Sequence, residues 1–94
     1  MSCKVDVSVE VKSDILDCDA DARREIGNFL LKLQDNPLPK GRRELGIAYF
    51  SFRLPCGYHV FWEVFGDLIK LALRGETRGI SIRILGVGRA TDET

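Results

Sequence analysis

Phe52-Arg53-Leu54-Pro55-Cys56-Gly57-Tyr58-His59-Val60-Phe61-Trp62-Glu63-Val64 is the stretch that decides how this 94-residue chain folds. From 47 to 54 apolar and polar residues alternate, Pro55-Cys56-Gly57 carries turn chemistry, and residues 58–65 return. The returning segment is rich in the aromatic and β-branched residues that suit a pleated, half-buried surface. The stretch is therefore a hairpin. On its second strand Tyr58, Val60, Trp62 and Val64 share one face, so Tyr58 and Trp62 are expected to pack in the core, although they and Tyr49 also invite a base-stacking role beside arginines. Before the turn two registers, one residue apart, are open. The one adopted turns Phe50, Phe52 and Leu54 to the core and Ser51 and Arg53 away from it, because a slip of one residue reverses every side chain.

Downstream, Gly66-Asp67 is a second turn signal, residues 68–73 read as a third strand, 74–79 as a polar loop and 80–87 as a last strand. Upstream, Asn36-Pro37-Leu38-Pro39-Lys40-Gly41 stops a helix, since residues before proline are pushed out of the helical region. That helix runs from about 20 to 34, with Asp19 as N-cap and Ala22, Ile26, Phe29, Leu30 and Leu33 on its apolar face. Residues 3–11 alternate, Val5, Val7, Val9 and Val11 against Lys4, Asp6, Ser8 and Glu10, as a half-buried strand does. Residues 13–18 are one helical turn or a loop. The expected fold class is α+β: a small single domain over 1–94, with an N-terminal strand and a helical segment packed on a twisted antiparallel sheet.

Composition is that of an ordinary globular chain, 45% apolar and 30% charged, with no apolar run long enough to cross a bilayer. No secretory signal is visible at Met1-Ser2-Cys3-Lys4, which leads to the expectation of a cytoplasmic protein with no membrane partner. Cys3, Cys18 and Cys56 are an odd number at wide spacing, with one histidine in the chain, so neither a disulfide framework nor a metal site is expected, and no cofactor. Net charge is zero but uneven. Residues 1–39 carry five basic against eight acidic side chains, and residues 40–91 nine against four, an asymmetry that marks either a face for a polyanion or a solvated sheet surface.

The order of strand, helix, Asn-Pro turn, basic segment, then a hairpin of the type R-x-x-x-G-Y-[RH]-V-x-[YW]-x-V and finally Ile84-Leu85-Gly86-Val87-Gly88-Arg89 resembles the RelE/ParE superfamily of toxins from toxin–antitoxin pairs, from about Val5 to Arg89. The resemblance implies a RelE-like fold, a cognate antitoxin protein as partner, and one of two activities. One is ribosome-dependent cleavage of mRNA, which inhibits translation. The other is that of a non-nuclease member, either directed at DNA gyrase or inactive and antitoxin-binding. Residues 68–79 look like an insertion, and the first helix looks cut to about one turn. In an alternative alignment residues 68–73 and Arg74 match the C-terminal strand and basic cluster of a related branch.

Cleavage of RNA by its own 2′-OH needs a proton acceptor, a proton donor and positive charge at the phosphate. By resemblance these roles fall to Arg53 as phosphate clamp, His59 where the family usually has arginine, and Arg89 as a second phosphate contact. Lys40, Arg42, Arg43, Ser51 and Arg74 are the expected RNA-binding residues around them. His59 could equally be a plain sheet residue beside Glu63, and Arg89 an exposed charge at a strand end. Ala90-Thr91-Asp92-Glu93-Thr94 lacks the tyrosine that nuclease members place there, and its acids would repel RNA.

Overall fold

The computed structural model describes residues 3–89. Strands β1 (Lys4–Val7), β2 (Arg43–Glu44), β3 (Tyr49–Arg53), β4 (Tyr58–Phe65) and β5 (Ser81–Arg89) form one sheet in the order β1-β5-β4-β3-β2. Helices α1 (Val9–Leu16), α2 (Ala20–Asp35) and α3 (Leu68–Arg74) complete the α+β domain. The sheet is mixed and not wholly antiparallel as expected: β1 lies parallel to β5, because the chain crosses from one to the other through the helices and the rest of the sheet.

Two segments differ from expectation, each because a cap outweighs the apparent alternation. Residues 3–11 are not one strand: the Ser8 side chain accepts from the Val11 amide at 3.2 Å and starts α1. Val11 then turns into the core while Val9 stays in water. Residues 68–73 are helix and not strand. Asp67 accepts from the Lys70 amide at 3.1 Å, Gly75 ends the helix at φ 64°, a left-handed conformation that glycine adopts at least cost, and Leu71 is the residue buried. The Asp19 cap holds as read, its carboxylate accepting from the Ala22 amide at 2.8 Å.

The hairpin closes over a three-residue loop, Pro55-Cys56-Gly57. Gly57 donates to the Leu54 carbonyl at 2.9 Å and Leu54 to the Tyr58 carbonyl at 2.8 Å. Gly57 sits at φ 93°, which a side chain would strain. This loop sets the register Phe50↔Trp62, Ser51↔Phe61, Phe52↔Val60 and Arg53↔His59. One face of the sheet therefore carries Phe50, Phe52, Val60, Trp62 and Val64, and α2 lays Ile26, Phe29 and Leu33 on it. Trp62 is fully buried, with Phe29 edge-on at 5.5 Å and Phe50 at 5.9 Å. Its indole N–H donates to the Pro37 carbonyl at 3.1 Å, tying the Asn36-Pro37 turn to the sheet centre.

Trp62→Ala is expected to cost about 3–5 kcal/mol of stability and Trp62→Phe about 1–3 kcal/mol, the latter chiefly for the Pro37 carbonyl left without its donor. Urea unfolding of the three proteins checks both. A Phe variant as stable as the parent would show that the indole hydrogen bond does not matter.

Candidate nucleic-acid interface

The face opposite Trp62 has no helix over it among the described residues. Reading across the strands, its first row is Arg53–His59–Gly88, its second Arg43–Ser51–Phe61–Gly86 and its third Tyr49–Glu63–Arg83–Asp6. Arg53 and His59 are direct cross-strand partners, whose β-carbons stand about 5 Å apart in such a pair. Arg53 is exposed and His59 half-buried, with its ring edge-on to Phe61 at 5.9 Å. His59 is not paired with Glu63: the Glu63 carboxylate instead accepts from the Tyr49 hydroxyl and holds that phenol's pKa above its ordinary value.

A β-bulge decides what β5 contributes. Phe61 pairs with Gly86 but Trp62 with Ile84, so Leu85 is the extra residue. Ile82 and Ile84 face the core before the bulge, and Val87 and Arg89 return to that side after it. Gly86 and Gly88 are thereby turned to the open face.

The expected site residues consequently separate. Arg53, His59 and Arg43 share the open face. Ser51 lies there too but is 4% exposed, between the larger Arg43 and Phe61, which leaves it little surface for contact. Arg89 belongs to the other face, because it pairs with Tyr58 and its guanidinium stands 5.7 Å over that ring, so it is not brought together with Arg53 and His59. The Tyr58 hydroxyl meets the Cys18 thiol, which raises its pKa against the opposing pull of Arg89. Arg42 is committed internally, to Glu44 at 3.2 Å and the Leu38 and Pro39 carbonyls at 3.4 Å, over the Phe50 ring.

Lys40 is exposed at a groove of about 690 Å³ between α2 and β3, on the core side, floored by Phe29, Phe52 and Leu54. Arg74 is exposed in the last turn of α3, away from the rows just described. The three cysteines are free thiols. The stretch Ala90 to Thr94, where the resemblance led to the expectation of a tyrosine, and the first two residues lie outside the described residues.

Sequence reasoning did not single out Phe61. The signal was present: if Tyr58, Val60 and Trp62 face the core, His59 and Phe61 must face away together.

The fold is similar to that of the isolated E. coli RelE toxin, with a TM-score of 0.71 at 14% identity over 96% of this chain and 86% of that one. A double arginine-to-alanine mutant of E. coli RelE in the free state superposes with a TM-score of 0.69 at 12% identity, over 95% and 84%. No family model and no curated protein matches the sequence. The chain has a RelE-like fold, and identities this low carry the fold alone.

Glu63→Gln is expected to lower the Tyr49 pKa toward the ordinary tyrosine value, since a neutral amide no longer penalises the phenolate. Tyrosinate absorbance through an alkaline titration checks it, with Tyr49→Phe identifying the Tyr49 component. Superposable curves for parent and Glu63→Gln would refute the pairing.

Proposed function

We propose that this chain is the toxin of a type II toxin–antitoxin pair and cuts mRNA on the ribosome, with Arg53 and His59 performing the chemistry. The observation that carries this is their direct pairing across β3 and β4 on the uncovered face. A RelE-like fold supports it.

The imidazole of His59 takes the proton of a ribose 2′-OH, a transfer that this side chain is suited to near neutral pH. The 2′-oxygen forms a bond to the adjacent phosphorus and the bond to the 5′-oxygen breaks. The products are a 2′,3′-cyclic phosphate and a 5′-OH that receives the proton back from the imidazolium or from water. The Arg53 guanidinium holds the non-bridging oxygens, where charge builds up, and exposed Arg43 in the next row holds a neighbouring phosphate. Glu63 is four residues along β4 from His59, about 13 Å at ~3.3 Å per residue, too far to share in the proton transfer.

An antitoxin partner fits the surface away from this face. Ile69 and Leu73 stand one turn apart on α3, and Ile47 is 92% exposed, apolar area of the kind that a bound protein covers. The chain would act in the cytoplasm, where its ribosomal target is. No helix among the described residues is long and apolar enough to cross a membrane.

A second reading is favoured by one observation, the place of Arg89. With that residue on the core side, two of the three expected reactive side chains remain together, which fits a non-nuclease member that poisons DNA gyrase or only binds antitoxin.

Expression without antitoxin is expected to arrest growth and to give new 5′ ends on ribosome-bound mRNA in primer extension. His59→Ala and Arg53→Ala are expected to slow cleavage by about a hundredfold or more, the usual worth of a proton-transfer group or charge clamp, and Arg89→Ala by less than about fivefold. Growth arrest without cleavage, together with inhibition of purified gyrase in a supercoiling assay, would favour the second reading. Loss of cleavage in Arg89→Ala alone would overturn the assignment of faces.

A further inference from the structure

We propose that Phe61 is a stacking platform for one unpaired base of the RNA, in a slot that Gly86 and Gly88 keep open beside it. This rests on the RNA-cleaving activity proposed above and names the part of the substrate that the open face recognises.

Phe61 is a half-buried aromatic ring on the solvated face and takes no part in the hydrophobic core. The other aromatics of that face are engaged: the Tyr49 hydroxyl is bound to Glu63, and the Arg83 guanidinium covers the Phe65 ring at 5.3 Å. Phe61 has the edge of His59 against it and no cation over it among the described residues. An apolar ring left this way is a surface that a flat partner can cover.

The glycines indicate what that partner is. A glycine inside a strand weakens it and often marks the close approach of a ligand. Neither Gly86 nor Gly88 has the positive φ that would require glycine, and a β-carbon built at either meets nothing within 4 Å. Backbone conformation and packing therefore do not account for them. Their shared effect is to remove side chains from the β5 positions facing Phe61 and His59, on the side to which the bulge has turned them. The opening lies on the β5 side of Phe61 and His59, the arginines of the first two rows stand on their β3 and β2 side, and Glu63 and Asp6 are confined to the third row. A planar group attached to a polyanion matches that arrangement, and a base of single-stranded RNA is such a group. A base within a duplex would keep both of its faces stacked and could not enter.

The test is single-turnover cleavage of mRNA on purified ribosomes, with an abasic nucleotide placed in turn at each position of the cleaved codon. Phe61→Ala is expected to slow wild-type cleavage by about five- to a hundredfold, the span for one lost base–aromatic stack, with Phe61→Trp retaining activity. Gly86→Val, whose β-carbon meets nothing within 4 Å, is expected to fill the slot and do the same with an unchanged melting temperature. One abasic position should slow the parent as much as Phe61→Ala does and have no further effect in that variant, which loss of folding alone would not produce. Parent protein that does not cleave would remove the proposed activity and this inference with it. A parent that cleaves, alongside Phe61→Ala and Gly86→Val variants equally fast, or an abasic penalty undiminished in Phe61→Ala, would overturn the stacking role and leave the nuclease standing.

Discussion

Burial of Trp62 is the constraint from which the rest follows. The indole is the largest fully buried side chain, and it is held at both ends: ring against Phe29 and Phe50, N–H against the Pro37 carbonyl. In a strand of period two, shifting β4 by one residue would bring Trp62 into water and draw His59 and Phe61 into the core. It would also leave the Pro37 carbonyl without its donor. The fixed position of one aromatic ring thus dictates, on the opposite face, the opposition of Arg53 and His59.

The same constraint explains why the sheet has two dissimilar sides. The large apolar side chains of the core are gathered against α2, including Phe29 stacked on Phe52 at 4.8 Å, while the other side carries cations, small residues and the rings of Tyr49, Phe61 and Phe65. The bulge at Leu85 completes the division. It keeps Ile82, Ile84 and Val87 on the core side despite an odd step between them, and it leaves the open half of β5 without side chains at Gly86 and Gly88. Local irregularity of this sort commonly borders functional surface, because it re-aims residues that strict alternation would place elsewhere.

How much of this was legible in the sequence varied with the physical signal. Residues 58–65 were read correctly to the residue, since eight positions of alternation with one face almost wholly apolar leave a single solution. The long helix was equally plain from its cap and its 3.6-residue period. Short segments were not. The Val5-to-Val11 alternation hid the helix started by Ser8, and Leu68-Ile69-Lys70-Leu71 offers apolar residues to either period, with Asp67 and Gly75 as the deciding signals. In the site, Arg53 opposite His59 depended on choosing, between two registers, the one that turns Phe50, Phe52 and Leu54 to the core, and on the resemblance that singled the two residues out. The side occupied by Arg89 was not legible, because one unpaired residue at Leu85 inverts every position after it and no composition announces a bulge.

If the uncovered face is the one that meets RNA, its position on the ribosome can be read by contact. A photoreactive phenylalanine derivative placed at position 43, on the open face, and separately at position 31, on the exposed side of α2, should be irradiated on ribosomes programmed with labelled mRNA. Label should transfer to the protein from position 43 and not from position 31. Transfer from position 31 with none from position 43 would contradict the account and move the functional surface to the helical side of the molecule.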